Sequence, residues 1–227
     1  MSPSRAQRQA SPAPPRLLRE DVYERLRDEI LTCRLAPARD LTESELAARF
    51  GVSKSPVRDA LFRLEQEGLV VIMPRQGYRV TPVSIRDAHE MFQLRAVLES
   101  ACVEAAAQAP PERLRALDRF RRYEAARWPL GFAAYNAAFH RELGALSGNS
   151  RLQRVLNDLI DQMQRAVTLG LATIKGQDPR QLVAEHVAII DAVQAGEARR
   201  AARVVRRHVI GAQKRVARAL GRVQVVT

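Results

Sequence analysis

The chain of 227 residues has only two cysteines and no stretch of 18 or more apolar residues. Cys33 and Cys102 belong to no metal-binding or redox spacing, which excludes a disulfide framework or a cysteine metal cluster. The missing apolar run excludes a membrane span, and Met1 to Pro15 lacks the apolar core of a signal peptide. We therefore expect a protein of the cytoplasm with two free thiols and no membrane partner.

Composition also divides the chain. Residues 1–16 are rich in proline, serine and alanine without apolar periodicity, which predicts a disordered tail. The length favours two domains, which we place at 17–83 and 84–220, followed by a short tail over 221–227. The formal net charge of +12 suits a polyanionic partner, although most of this excess lies in the second domain.

Two short amphipathic helices are predicted within Leu41–Leu69, LTESELAARFGVSKSPVRDALFRLEQEGL. Thr42 is suited to cap the first helix, while Glu45 reaches back to the backbone amide of Thr42. Gly51 is placed to end that helix, and Pro56 is expected at the first position of the next.

The second of these helices has an apolar face and a polar face. Its polar face carries Ser55, Arg58 and Arg63. Short hydroxyls at a helix N-terminus can contact phosphates, and a guanidinium can pair with guanine. The pattern therefore predicts a helix that enters the major groove of DNA.

A predicted hairpin follows, with Val70–Met73 and Tyr78–Thr81 on either side of Pro74-Arg75-Gln76-Gly77. Upstream, Val22, Leu26 and Ile30 form the apolar stripe of a first helix. The order of helix, helix, helix and hairpin predicts a winged helix-turn-helix.

From about Val22 to Val80 the sequence resembles the DNA-binding domain of the GntR family of bacterial transcription regulators, because LTESELAARFGVSKSPVRDAL matches that family's pattern almost throughout. The resemblance implies DNA contacts from Ser44, Arg49, Ser53, Lys54, Ser55, Arg58 and Gly77. Arg63 is a further candidate by its place on the polar face, although an exposed arginine is more often only solvated. Lys54 stands where many members have arginine, and lysine cannot make the planar two-bond contact with a base.

The second domain shows helical periodicity to its end and no strand pattern, so the fold class is mostly α, with an all-α antiparallel bundle after the winged domain. The buried stripe of its first helix is predicted to include Val97. The helices are expected over 84–108, Glu112–Arg127, Leu130–Leu146, Arg151–Ile174, Pro179–Ala195 and Glu197–Leu220.

Three of the four histidines lie on the apolar stripes of different predicted helices: His140, His186 and His208. Burying three imidazoles is costly unless something accepts their nitrogens, and a divalent metal ion would do so. Asn136 lies one turn before His140 and can add an amide oxygen. The alternative is that each histidine is an ordinary core residue with its own hydrogen-bond partner.

These segments resemble the ligand-sensing helical domain (FCD type) of the FadR subgroup of GntR regulators. FHRELGALSGNSRL, EHVAIIDAVQAGEARRA and RRHV carry the resemblance. It implies a divalent metal ion, with Zn, Ni or Mn all tolerated, held by the three histidines and an aspartate, whose place Asn136 takes here. It also implies a small organic-acid effector and a clamp for its carboxylate by Arg95, for which an ion pair with Glu99 is the alternative.

We therefore expect a homodimeric, metabolite-responsive repressor that binds a palindromic DNA operator at the bacterial nucleoid and is released by its effector. Two alternatives remain: an architectural DNA-binding dimer without an effector, and a metal-dependent hydrolase. The hydrolase is disfavoured because Glu99 is the only carboxylate expected near the histidines.

A basic run without acidic residues, Arg199–Arg222, is explained as a solvated helix face, a second DNA contact or a surface facing the winged domain.

Overall fold

The computed structural model describes residues 15–174 and 178–221, with side chains from residue 20 onward. Most of the two predicted tails, residues 1–14 and 222–227, lies outside the described residues. Residues 15 and 16, which were predicted to belong to the N-terminal tail, are part of a helix. The chain divides into two compact units between Thr81 and Pro82, two residues before the boundary expected from the sequence.

The first unit is the predicted winged helix-turn-helix. Its elements are α1 (Pro15–Leu31), β1 (Asp40–Leu41), α2 (Glu43–Phe50), α3 (Lys54–Gln66), β2 (Val70–Met73) and β3 (Gly77–Val80). The two-residue strand β1 was not predicted, because so short an element has no detectable alternation. It pairs antiparallel with β3 and completes a sheet in the order β1-β3-β2.

An apolar core joins the three helices and the sheet of this unit. The predicted stripe of α1, Val22, Leu26 and Ile30, is fully buried. Its partners include the apolar face of α3, namely Val57, Ala60, Leu61 and Leu64. Because α3 is fixed through this face, its opposite face is presented at the surface.

The helix ends agree with the sequence in part. Thr42 caps α2 by accepting a hydrogen bond from the Glu45 amide at 3.2 Å, and Gly51 ends α2 with a left-handed φ of 66°. The expected return contact of Glu45 with the Thr42 amide is wrong, because the Glu45 carboxylate accepts from Arg39 at 2.8 Å. Helix α3 begins at Lys54, so Pro56 is its third residue and not its first.

The second unit is an all-helical bundle, as predicted. Its α-helices are α4 (Ile85–Ala106), α5 (Pro111–Leu114), α6 (Gly131–Leu146), α7 (Ser150–Ala172), α8 (Arg180–Gln194) and α9 (Ala198–Leu220). Among the described residues, no helix is sufficiently long and apolar to cross a bilayer.

The predicted continuous helix over Glu112–Arg127 is wrong. Beyond α5 the backbone forms two 3₁₀ segments, Arg115–Phe120 and Ala125–Arg127. The reason is the spacing of the apolar residues: Leu114, Leu117 and Phe120 recur every third residue and are all buried. A 3₁₀-helix has three residues per turn, so it places all three on one face.

The predicted burial of Val97 is also wrong, because 64% of this residue is exposed. The buried stripe of α4 instead runs through Phe92, Arg95, Glu99 and Cys102. Two charged side chains therefore occupy positions that the periodicity of an ordinary core helix would give to apolar residues.

Candidate DNA interface and metal centre

The side chains proposed to contact DNA lie at the surface of the winged unit. Those exposed to solvent on α2, the turn and α3 are Ser44, Arg49, Ser53, Lys54, Ser55, Arg58 and Arg63. Ser53 precedes the first residue of α3 in an extended conformation, so the hydroxyls and cations of this segment surround a helix N-terminus, where backbone amides favour anions.

Arg58 is held by a two-bond ion pair with Glu43 at the start of α2. Its Nε and Nη2 atoms donate to the two carboxylate oxygens at 2.9 and 2.8 Å. The Arg58 side chain remains 63% exposed. The hydrogen bond from Arg58 keeps the pKa of Glu43 below its ordinary value, so Glu43 is ionised at neutral pH.

Two further arginines of the proposed interface also have carboxylate partners. Arg49 pairs with Glu29 of α1. Arg63 donates to Glu20 at 2.8 Å and lies over the ring of Tyr23, 3.5 Å from its centroid. Both residues face α1 through these contacts, so DNA binding by either requires an exchange of partners.

Gly77 has a structural role at the start of β3, next to the turn of the β2–β3 hairpin, which forms the wing. Its φ of 105° lies in the region that side-chain-bearing residues rarely adopt, and a Cβ at this position would lie 2.6 Å from the carbonyl oxygen of Leu41. Close packing of β3 against β1 therefore requires glycine here, independently of any approach to DNA.

The second unit brings together His140 from α6, His186 from α8 and His208 from α9. One ring nitrogen from each lies within 4.8 Å of those of the other two, and all three residues are buried as predicted. The Nε2 atoms of His208 and His140 are 3.3 Å apart.

Each Nδ1 atom of this centre has a separate partner. His140 Nδ1 contacts Glu99 at 2.9–3.0 Å, and His208 Nδ1 contacts Glu185 at 2.7 Å. His186 Nδ1 lies 3.3 Å from the Tyr135 hydroxyl, which donates to the backbone carbonyl of Phe120. Outer contacts of this kind fix imidazole orientation in metal sites.

Burial keeps the imidazoles of His140 and His186 neutral. It lowers the pKa of His140 to about 3, with a further decrease from the positive charge of Arg95. Burial also lowers the pKa of His186 well below its ordinary value. Burial alone would raise the pKa of Glu99, but Arg95 and His140 outweigh it and hold this pKa below the ordinary value. The carboxylate is thus an anion that accepts from both neighbours.

These features fit a metal ion. A neutral imidazole that donates Nδ1–H to a carboxylate carries its lone pair on Nε2. In that tautomer the facing Nε2 atoms of His140 and His208 repel each other, unless a cation or a proton lies between them. The Nε2 atom of His186 is buried and has no hydrogen-bond partner. A divalent cation would satisfy all three atoms.

Arg95 and Asn136 lie beside this centre. Arg95 donates Nε–H to Glu99 at 2.7 Å, so the ion pair considered from the sequence is present. Its Nη2 atom is nevertheless buried without a partner. Arg95 and Asn136 both line two small internal cavities, of which one also contacts His140 and the other His208.

Sequence analysis missed Glu185 and Tyr135 as partners of the histidines. Glu185 directly precedes His186, and neighbouring residues on a helix face different directions, so helical periodicity does not place Glu185 against His208. Tyr135 was assigned only to the apolar stripe of its helix, although a buried tyrosine hydroxyl normally finds a hydrogen-bond partner.

A winged helix-turn-helix whose third helix exposes cationic side chains, followed by a helical bundle with a buried polar centre, defines the class of two-domain transcription regulators. Residues 18–80 match the model of the bacterial regulatory proteins of the gntR family, and residues 90–211 match the FCD domain. The chain belongs to the GntR family and carries an FCD domain, a domain that commonly binds metal. The family comprises transcription regulators and not enzymes, which removes the hydrolase alternative.

Relatives agree with this assignment. The chain is 36% identical over 197 residues to an uncharacterized HTH-type transcriptional regulator in an unstable DNA locus of Streptomyces ambofaciens, covering 84% of this chain and 81% of that protein. It is 34% identical over 99 residues to the HTH-type transcriptional repressor RspR of Escherichia coli K12, covering 44% and 42%. The E. coli McbR/YncC structure shares the fold with a TM-score of 0.64 and 21% identity, covering 86% of this chain and 94% of that one.

Proposed function

We propose that this protein is a metabolite-responsive repressor whose homodimer binds a palindromic operator through α3 and is released by a small organic acid. The observation that carries the proposal is the exposed N-terminal part of α3, where Lys54, Ser55 and Arg58 project from a helix whose other face is fixed in the core.

Arg58 is the proposed base-reading residue. Glu43 occupies the Nε–Nη2 edge of its guanidinium. The outer edge, with Nη1 and the second Nη2 hydrogen, stays free to donate to N7 and O6 of guanine. Glu43 is therefore a positioning residue that orients Arg58, while Ser44, Ser53, Lys54 and Ser55 are proposed to contact phosphates or base edges.

The test replaces Arg58 by alanine and measures affinity for the operator and for unrelated DNA. We expect Arg58→Ala to lower operator affinity about ten- to a hundredfold, because one two-bond base contact is lost. Arg34→Ala is the matched control, since Arg34 is also 63% exposed and paired with a carboxylate, Asp28. Normal footprinting by Arg58→Ala would refute the assignment of α3 as the recognition helix.

The homodimer is the natural counterpart of a palindromic site. Two copies of α3 related by a twofold axis can read two half-sites about one DNA turn (~34 Å) apart, or at a shorter overlapping spacing. Native mass spectrometry of the protein with a single operator duplex measures this directly. We expect two chains per duplex, and one chain per duplex at saturation would contradict the proposal.

His140, His186 and His208 are the proposed ligands of a divalent metal ion, with the amide oxygen of Asn136 as a candidate fourth. The bound ion would supply positive charge beside the effector site. Arg95 is proposed to bind the effector's carboxylate, because its Nη2 is buried, unpaired and part of the wall of both cavities.

His140→Ala and His186→Ala are expected to lower metal content in elemental analysis and to leave operator affinity unchanged. His89→Ala is the control, because His89 is exposed and contacts only Gln93 and Gln213 in the described part of the chain. Metal content that is unchanged in both variants would refute the site.

The internal cavities favour one alternative function. Each has a volume of about 20 Å³, which holds about one water molecule. An organic acid would require the surrounding helices to separate, whereas an architectural DNA-binding dimer requires no such pocket. A thermal-shift screen with small carboxylates decides between them, because a ligand specific to the folded state raises the melting temperature. No shift by any carboxylate at millimolar concentration would favour the architectural dimer.

A further inference from the structure

A groove between α8 and α9 lies on the surface of the helical unit, with a volume of about 530 Å³. Volumes of about 300–1,000 Å³ are typical of small-molecule sites. Four cationic residues of α9 line this groove: Arg207, Lys214, Arg215 and Arg218. These four residues belong to the basic run Arg199–Arg222, whose cations have no role in the proposed DNA interface or in the histidine centre.

The charges of the groove are unbalanced. Glu185 of α8 is the only carboxylate among its lining residues, and its oxygen is shared between His208 at 2.7 Å and Arg215 at 3.6 Å. Within the described residues, Arg207, Lys214 and Arg218 form no ion pair with a carboxylate. Elsewhere on this protein exposed arginines commonly have such partners, as Arg119 has in Glu142. The groove therefore concentrates uncompensated positive charge around a concavity.

The walls between these charges are small and apolar. Ala184 and Ala188 line the groove from α8, and Val204 and Gly211 line it from α9. A glycine inside a helix costs about 1 kcal/mol relative to alanine. The nearest neighbour of a Cβ built at Gly211 is the Arg215 side chain at 3.5 Å, so no backbone contact requires glycine here. Its effect is to leave space beside Arg215.

We infer that the α8–α9 groove is a second ligand site, which binds an organic anion carrying two or more negative charges and an apolar portion, such as a phosphate ester or a polycarboxylate. The charged end contacts Lys214, Arg215 and Arg218, and the apolar portion packs on Ala184, Ala188 and Val204. Enclosure within a concave groove distinguishes this site from a DNA-backbone contact, which is the alternative for these cations.

The groove also offers a route to the histidine centre. Glu185 contacts both Arg215 and His208, so an anion that pairs with Arg215 competes directly with Glu185. His208 and Arg215 line both the groove and one of the two small cavities, so occupation of the groove is coupled to the orientation of His208.

The test is calorimetric titration of the full chain with phenyl phosphate and with citrate, after removal of metal by a chelator that is then dialysed away. Benzoate, with a single charge, is the comparison ligand. We expect phenyl phosphate or citrate to bind at least tenfold more tightly than benzoate. The difference between the two shows whether phosphate or carboxylate chemistry is preferred. Metal-free protein removes direct coordination of the anion by an ion, and the groove variants below separate this site from the proposed effector site at Arg95.

Lys214→Gln/Arg218→Gln is expected to weaken the binding at least tenfold. Arg203→Gln/Arg206→Gln is the matched control, since it removes two exposed cations of the same helix that do not line the groove. Gly211→Met fills the groove without changing its charge and is expected to weaken binding similarly.

Three results would overturn the inference. One is no binding of either anion at concentrations up to about 10 mM, which is well above a dissociation constant of ~1 mM. Another is an equal loss of binding in the control pair, which would indicate attraction by overall charge. The third is unchanged anion binding with weakened operator binding in Lys214→Gln/Arg218→Gln, which would assign these cations to DNA.

Discussion

Arg58 and Glu43 form an ion pair on the surface of the winged unit, whereas Arg95 and Glu99 form a similar pair in the interior of the helical unit. Arg58 of the surface pair is 63% exposed, so solvent screens this pair and the outer edge of the guanidinium stays accessible. The interior pair is shielded from bulk solvent, so its charges depend on each other and on His140. Under the proposed function, the surface pair serves DNA recognition, whereas the interior pair serves both effector recognition and stability.

The largest expected effect comes from breaking the interior ion pair between Arg95 and Glu99. Glu99→Ala leaves the Arg95 guanidinium and the Nδ1 of His140 without their buried acceptor, which should lower the free energy of unfolding by about 3–5 kcal/mol. The fluorescence of Trp128, the only tryptophan, follows urea unfolding of the helical unit. A loss below about 1 kcal/mol would show that the pair contributes no more than a surface pair.

Gly77→Ala tests whether the close packing of β3 against β1 limits the stability of the winged unit. The left-handed φ and the 2.6 Å approach to the Leu41 carbonyl predict a loss of about 2–3 kcal/mol in the winged unit. Gly68→Ala is the control, since its φ of 68° is also positive but no atom lies near its Cβ, and about 1–2 kcal/mol is expected. Hydrogen exchange of the wing amides measures both. Equal effects would remove the packing explanation.

Glu43→Gln tests the other member of the comparison, the surface ion pair between Glu43 and Arg58. We expect almost no change in stability, since the pair is exposed to solvent, but a several-fold loss in the ratio of operator to non-operator affinity, because Arg58 is no longer oriented. Glu45→Gln, which disrupts the exposed pair with Arg39, is the control. An unchanged ratio in Glu43→Gln would mean that Glu43 does not position Arg58.

The smallest effect concerns the two thiols. Burial raises the pKa of Cys102 to about 12, and the nearby charge of Glu99 adds to this shift. The thiolate is the reactive form, so Cys102 should resist a thiol reagent at pH 8, whereas the partly exposed Cys33 should react. Mass spectrometry of labelled protein counts the products. Two labels in the native protein would show that the interior of the helical unit opens readily.

Much of the winged unit was predictable because the signals for its helix ends and buried faces come from residues close in the sequence. The Thr42 cap, the Gly51 turn and the apolar face of α3 each depend on residues close in sequence, and all agree with the structure. Strand β1 escaped prediction because its pairing partner is distant in the sequence.

The helical unit was predictable in outline and less so in detail. The burial of His140, His186 and His208 followed from helical periodicity, but their partners Glu185 and Tyr135 depend on how separate helices pack. The 3₁₀ segment over Arg115–Phe120 was missed because apolar residues at every third position also fit an α-helix.

Under the proposed function, the carboxylate partners of Arg49 and Arg63 have a consequence for how the protein searches a chromosome. Each arginine that moves from glutamate to phosphate leaves a carboxylate behind, so random DNA offers little net gain and the non-specific complex dissociates quickly. Only a site whose bases compensate for the abandoned carboxylates retains the protein. Short dwell times at wrong positions favour rapid sampling of the genome and reduce the sensitivity of scanning to ionic strength.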